Sequence, residues 1–136
     1  MKQLKLWLLA IVAVMAAMPA EAKTDTVSEI YMFGFSASFK DSVVFVTDIQ
    51  HVSPVRLASK TQFLMDRDQY SYQLKNYLTD TLQRPGRICL VIFDTVKKKA
   101  EKKYMKLMKK YKKGYDIQYL NETQFRFQAI PGDDSE

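Results

Sequence analysis

Apolar positions recur with period two near the start of this chain and with period 3.6 further along. From Val27 to Phe39, residues Tyr31, Phe33, Phe35, Ala37 and Phe39 alternate with Met32, Gly34, Ser36 and Ser38, which predicts a strand. Lys40-Asp41 predicts a tight turn. Ser42 to Gln50, with Val43, Val44, Val46, Thr47 and Ile49, predicts a second strand pairing antiparallel with the first. His51 to Met65 reads as irregular, interrupted by Pro54, with Val55, Leu57, Phe63 and Leu64 packing on the core.

The period then changes. Tyr70, Leu74, Tyr77 and Leu78 make one apolar stripe of a helix from about Asp68 to Gln83. Asp66 or Asp68 is placed to cap it, and Pro85-Gly86 to stop it. The run Ile88-Cys-Leu-Val-Ile-Phe93 is apolar on both faces, which predicts a central strand covered by helices. Ala100, Tyr104, Leu107, Met108 and Tyr111 form a second helical stripe among lysines, and Gly114 is placed to end that helix. Tyr115 to Leu120 and Thr123 to Ala129 read as strands, the latter with Phe125, Phe127 and Ala129 on one face. The expected order is β-β-α-β-α-β-β. Two strand–helix–strand crossovers imply parallel neighbours, and the hairpin adds an antiparallel edge. The expected class is a small α/β domain with a mixed sheet, an α+β arrangement being the alternative.

The N-terminus has a different pattern. Lys2 and Lys5 precede an uncharged run from Leu6 to Met18, then Pro19 and the small-x-small triplet Ala20-Glu21-Ala22. This predicts a secretory signal peptide over residues 1–22. The run is shorter than the roughly 20 apolar residues that a spanning helix needs. No cysteine near the cleavage point suggests a lipoprotein anchor. The expected product is exported to the periplasm or the medium, as one domain over residues 23–130 followed by an acidic, disordered tail over 131–136. A mature chain of this size buries about two-thirds of its unfolded surface. Cys89 is the only cysteine, so no internal disulfide is available, and its apolar surroundings predict a buried, inert thiol.

The block Phe33-Gly-Phe-Ser-Ala-Ser-Phe39 through Asp48-Ile-Gln50 resembles the start of small, uncharacterised secreted proteins of Gram-negative bacteria. The similarity extends through the Tyr-rich and Lys-rich helices. It implies one exported domain and carries no activity.

Charge changes the picture more than composition does. The chain is +6 overall, but Lys97 to Lys113 holds ten lysines and one glutamate, a net +9. The basic character therefore belongs to one helix, a rod of roughly 25 Å. Like charges at i, i+4 on its surface cost a few tenths of a kcal/mol per pair, and burial of the apolar stripe must offset that. An array of hydrated ammonium groups suits diffuse anions: lipid headgroups, lipopolysaccharide or acidic glycans. The anion-binding candidates are Lys97, Lys98, Lys99, Lys102, Lys103, Lys106, Lys109, Lys110, Lys112 and Lys113. Export removes nucleic acid from the expected partners. A purely solvated lysine face is the plainer alternative.

Other chemistry is sparse. Asp48 and Asp94 end strands expected to run parallel, where ligands of open α/β sheets bind, and His51 is close to Asp48 in sequence. Together these three are the metal-ligand candidates of a metal-dependent binder or hydrolase. Asp at strand ends also commonly terminates strands and caps turns. Gly34-Phe-Ser-Ala-Ser38 has part of a nucleophile elbow but lacks its last glycine and its strand-to-helix turn. No phosphate loop, His-Glu-x-x-His, Cys-x-x-Cys or EF-hand pattern is present, and no cofactor is expected. No catalytic residue is assigned. The expected function is a non-enzymatic exported binding domain, engaging an anionic envelope surface or an envelope protein. For the latter, an aromatic patch on the hairpin at Tyr31, Phe33 or Phe35 is the expected mark.

Overall fold

The alternation in the first strand is apolar in both phases. Ile30 and Met32 fall on one face, Phe33 and Phe35 on the other, and all four are buried. A strand buried on both faces belongs in the middle of a sheet. It lies there in the computed structural model, which describes residues 25–131. The expected signal peptide and all but the first residue of the expected tail fall outside the described residues.

Strand β1 (Asp25–Ala37) is followed by β2 (Val43–Thr47) and β3 (Gln50–Ala58). Helix α1 (Arg67–Asn76) continues through a π-helical turn at Tyr77–Thr81. Then come β4 (Ile88–Asp94), helix α2 (Lys97–Tyr111) and β5 (Asp116–Leu120). The described residues form a small mixed α/β domain with a five-stranded sheet and two helices. β2 and β3 run one after the other along one edge of β1, antiparallel to it. β4 lies antiparallel along the other edge, and β5 adds parallel to β2. Phe35 thus has Val46 on one side and Leu90 on the other.

Each face carries its own core. On one, Ile30, Met32, Val52 and Val91 pack with Tyr70, Leu74 and Leu78 of α1 and its π-helical turn, and with Phe125 and Phe127. On the other, Phe33, Phe35, Val44 and Val46 pack under Tyr104, Leu107, Met108 and Tyr111 of α2.

Several expectations change. The hairpin is the centre of the sheet, and β4 is an edge strand. The run 88–93 is apolar on both faces because helices meet it on both sides; it needs no second strand neighbour. Of the crossover strands, only β2 and β5 become parallel neighbours, since β1 lies between β2 and β4. A five-residue connection, with Val43 N donating to Asp41 Oδ1 at 3.0 Å, replaces the tight turn at Lys40-Asp41. Asp66 stands at the start of α1 at φ 59°, but its side chain makes no capping bond; its carbonyl accepts from Gln69 and Tyr70.

The segment from His51, read as irregular, contains β3. Pro54 is tolerated because the register shifts there: Ser28 faces Val55 and Ile30 faces Val52, so two residues oppose Glu29 alone. A bulge on an edge strand needs no N–H from proline. A second extra residue lies between β2 and β3, where Thr47, Asp48 and Ile49 oppose Phe33 and Gly34. Thr47 repairs the interrupted ladder by accepting from Gly34 N at 2.8 Å and donating to Asp48 O at 2.9 Å.

Residues 123–129 do not form the expected strand. Phe125 and Phe127 are buried on one face as the alternation requires, but side chains hold the backbone. Gln50 bonds Phe125 O and Phe127 N, Gln73 bonds Gln128 O and N, and Tyr70 Oη accepts from Ile130 N. Period-two patterning demands an extended chain, not a neighbouring strand. Gly34 admits this layer: a Cβ there would lie 2.7 Å from Leu74 Cδ2 and 3.1 Å from Phe127 Cζ.

Candidate functional site

Helix α2 is amphipathic in the expected sense. Ala100, Tyr104, Leu107, Met108 and Tyr111 face the sheet, with Tyr104 edge-on to Phe33 at 5.1 Å and Tyr111 tilted against Phe35 at 4.8 Å. Burial raises the Tyr104 hydroxyl pKa, reinforced by nearby Tyr119 and Asp48. Opposite this stripe, Lys98, Lys102, Lys106, Lys109 and Lys113 follow one another at steps of three and four residues and form the outermost row. Every lysine from Lys97 to Lys113 is exposed. Met105, 70 % exposed, interrupts the array.

One lysine differs from the rest. Lys103 Nζ lies 3.2 Å from Asp94 Oδ2, donates to Phe93 O at 2.9 Å and sits 5.9 Å from the Phe93 ring centre. It ties α2 to β4. Among the described residues it alone of the ten has a carboxylate within ion-pair distance. Lys110 lies over the Tyr111 ring. Three lysines occupy the first turn of α2, where the helix dipole is already positive and no side chain caps the start.

Asp94 answers that charge. Its Oδ1 accepts from Val96 N at 3.0 Å. Burial opposes its ionisation, but that bond and the Lys103 and Lys99 charges outweigh burial and hold the carboxyl below its ordinary value. It therefore does the structural work that Asp commonly does at a strand end.

The candidate metal ligands do not converge. Tyr31 pairs with His51 on one side and Asp94 on the other, so two strand spacings, roughly 10 Å, separate those backbones. His51 Nε2 lies 3.0 Å from Glu29 Oε2 and its ring packs on Tyr31. Asp48 sits at the end of β2, with its N–H bonded to Leu120 O. Among the described residues no group of three or more His, Cys, Asp or Glu could hold a metal ion. Asp48, His51 and Asp94 are thus not brought together as the single ligand set that one ion needs. Ser36 is fully buried and bonded to Arg87, away from any imidazole.

The hairpin aromatics expected as an exposed patch are not one. Phe33 and Phe35 are core, and Tyr31 is half-buried. Phe39, 95 % exposed, is the outward aromatic instead. Cys89 is partly buried; burial raises its thiol pKa against the opposing effects of Ser36, Lys75 and Arg87.

Two arginines escape a reading by motif. Arg67, at the start of α1, donates twice to Val91 O and stacks 5.6 Å from the Phe93 ring centre. With Phe63, Asp94 and Lys103 it lines a cleft of about 350 Å³ at the end of β4. Arg87 is buried, bonded to Ser36, Asp41 and the Val43 carbonyl, and lies over Phe45. Isolated arginines beside Asp or Pro-Gly carry no sequence signal for such contacts. No helix among the described residues is long and apolar enough to cross a membrane. No protein-family model, curated protein or solved structure matches the chain.

Proposed function

We propose that the chain is a non-enzymatic binding domain whose α2 lysine face engages an anionic surface, and that on the export reading of residues 1–22 this surface belongs to the cell envelope. The observation that carries this is charge without compensation. Nine of the ten lysines lack a carboxylate partner among the described residues, although like-charge crowding on one helix is destabilising. A stripe anchored by Tyr104, Leu107, Met108 and Tyr111 holds the opposite row outward as a unit. Near an anionic surface each such lysine contributes up to about 1 kcal/mol, and several engage together.

Co-sedimentation of the chain with phosphatidylglycerol-containing vesicles tests the reading. Binding is expected at low ionic strength and lost at high salt. Replacing Lys98, Lys102, Lys106 and Lys109 by Gln should weaken it at least tenfold while the fold is kept. No binding to acidic vesicles, or binding indifferent to salt, would reject the reading.

A further inference from the structure

Among the described residues strand β4 has a free edge, and its hydrogen-bonding groups can be assigned. Gly34 donates its N–H to Thr47, on the β2 side of β1. The Gly34–Val91 pair therefore exchanges no ladder bonds, and the main-chain groups of Cys89, Val91 and Phe93 point away from β1. Arg67 and Lys103 fill the carbonyls of Val91 and Phe93, at 2.6 and 2.9 Å. The N–H and C=O of Cys89 and the N–H of Val91 have no partner among the described residues.

Grooves open on both faces of this unfilled stretch. On the α2 side, Phe35, Phe39, Ile88, Leu90, Tyr111 and Tyr115 border about 280 Å³. On the α1 side, Ser71, Tyr72, Lys75 and Cys89 border about 350 Å³. A strand laid beside β4 would send alternate side chains into one groove and the other. Ile88 and Leu90 remain about half exposed, at 48 % and 50 %. Other edges are protected: β3 carries Pro54 and a bulge, and β5 is short and bears Asp116 and Gln118. From Ile88 to Phe93, β4 has neither proline nor charge.

Charge selects the occupant. Antiparallel pairing of two β4 strands would place both α2 helices on one face of a joined sheet, setting one +9 segment beside another. An acidic partner meets attraction instead. Lys75 lines the α1-side groove and stands close enough to Cys89 to favour its thiolate, and Lys110 lies over Tyr111 of the other groove. Among the described residues Asp68 is the single carboxylate bordering either groove.

We propose that the Ile88–Val91 stretch of β4 receives, by strand addition, an extended segment of a partner protein in which apolar and acidic residues alternate. Its apolar side chains enter the groove of Phe39, Leu90 and Tyr111, and the carboxylate opposite Cys89 meets Lys75. Arg67 and Lys103 limit the added strand to the first half of β4.

The test is fluorescence anisotropy of a labelled synthetic peptide of about seven residues, alternating valine and glutamate, against the full chain. Saturable binding is expected, reduced at least tenfold by N-methylation of alternate main-chain nitrogens and by replacing glutamate with lysine in the peptide. Leu90→Glu should cost at least tenfold. Cys89→Pro, which removes a free donor without touching the main-chain bonds to β1, should do the same, so the two variants check each other if one misfolds. Changing Lys98, Lys102, Lys106 and Lys109 to Gln should weaken vesicle binding at least tenfold and leave peptide binding within about twofold, which separates this site from the lysine face. No peptide binding, equal binding of the N-methylated peptide, or a β4-dependent dimer by sedimentation would overturn the proposal.

Discussion

The side-chain amide of Gln50 closes on the main chain at Phe127: its Oε1 accepts from Phe127 N at 2.8 Å, while its Nε2 donates to Phe125 O at 2.9 Å. Gln50 is fully buried, so neither bond competes with water. One amide thereby replaces the strand neighbour that residues 125–127 lack. Gln50→Leu would leave two main-chain groups unpaired, at about 1–3 kcal/mol each. The expected result is a lower denaturant midpoint, with earlier proteolysis near Phe125–Ile130 than at the sheet.

Gly34 marks the closest approach of the α1 layer to β1. A valine there would press its methyl groups on Leu74, Phe127 and Thr47. Gly34→Val should destabilise by about 1–3 kcal/mol, the usual range for overpacking. Gly34→Val/Leu74→Ala should recover part of that loss in a double-mutant cycle. Strict additivity would show that the two sites are not in contact.

Acid should loosen the domain through two carboxylates. The main-chain N–H of Val43 and the charge of Arg87 hold Asp41 below its ordinary pKa, and Asp94 is held down by Val96 N and Lys103. A depressed folded-state pKa gives stability that is complete above the unfolded value, about 3.9, and is lost as pH falls through the folded one. Thermal melts from pH 6 to pH 2.5 should therefore fall mainly below about pH 4. Asp41→Asn with Asp94→Asn should flatten that decline. An unchanged slope would count against both assignments.

The lysine face should be relieved by salt or by a single reversal of charge. Lys106 has Lys102, Lys103, Lys109 and Lys110 three or four residues away on the helix. Lys106→Glu converts these repulsions to attractions and should stabilise by about 1 kcal/mol at low ionic strength. The gain should shrink as sodium chloride is added, while the unmodified chain melts higher. Calorimetry at two salt concentrations reads both effects.

Cys89 should react slowly. Burial raises its pKa, so little thiolate is present at neutral pH. Alkylation by iodoacetamide should have its pH midpoint above the free-thiol value of about 8.5. A midpoint below that value would mean that Lys75 and Arg87 dominate over burial.

Local pattern was enough for much of this protein. Period-two alternation in β1, the helical stripes at Tyr70–Leu78 and Ala100–Tyr111, and the outward lysine row are legible from spacing, because each records which side of one element meets water. Partnership was not legible. The run Ile88–Phe93 reads the same whether strands or helices exclude water from it, so its edge position depended on where α1 and α2 pack. Phe125 and Phe127 declare an extended segment, but the hydrogen-bond partner came from Gln50, distant in sequence. Asp48, His51 and Asp94 are all metal-ligating residue types, but register puts β1 between His51 and Asp94. The free Cys89 groups beside two grooves follow from ladder phase alone, set by Gly34 and Thr47. Sequence by itself determined the faces of individual elements, a property of nearest neighbours along the chain. Tertiary structure decided edges, registers and grooves, because those arise where distant segments compete for the same hydrogen bonds and the same buried space.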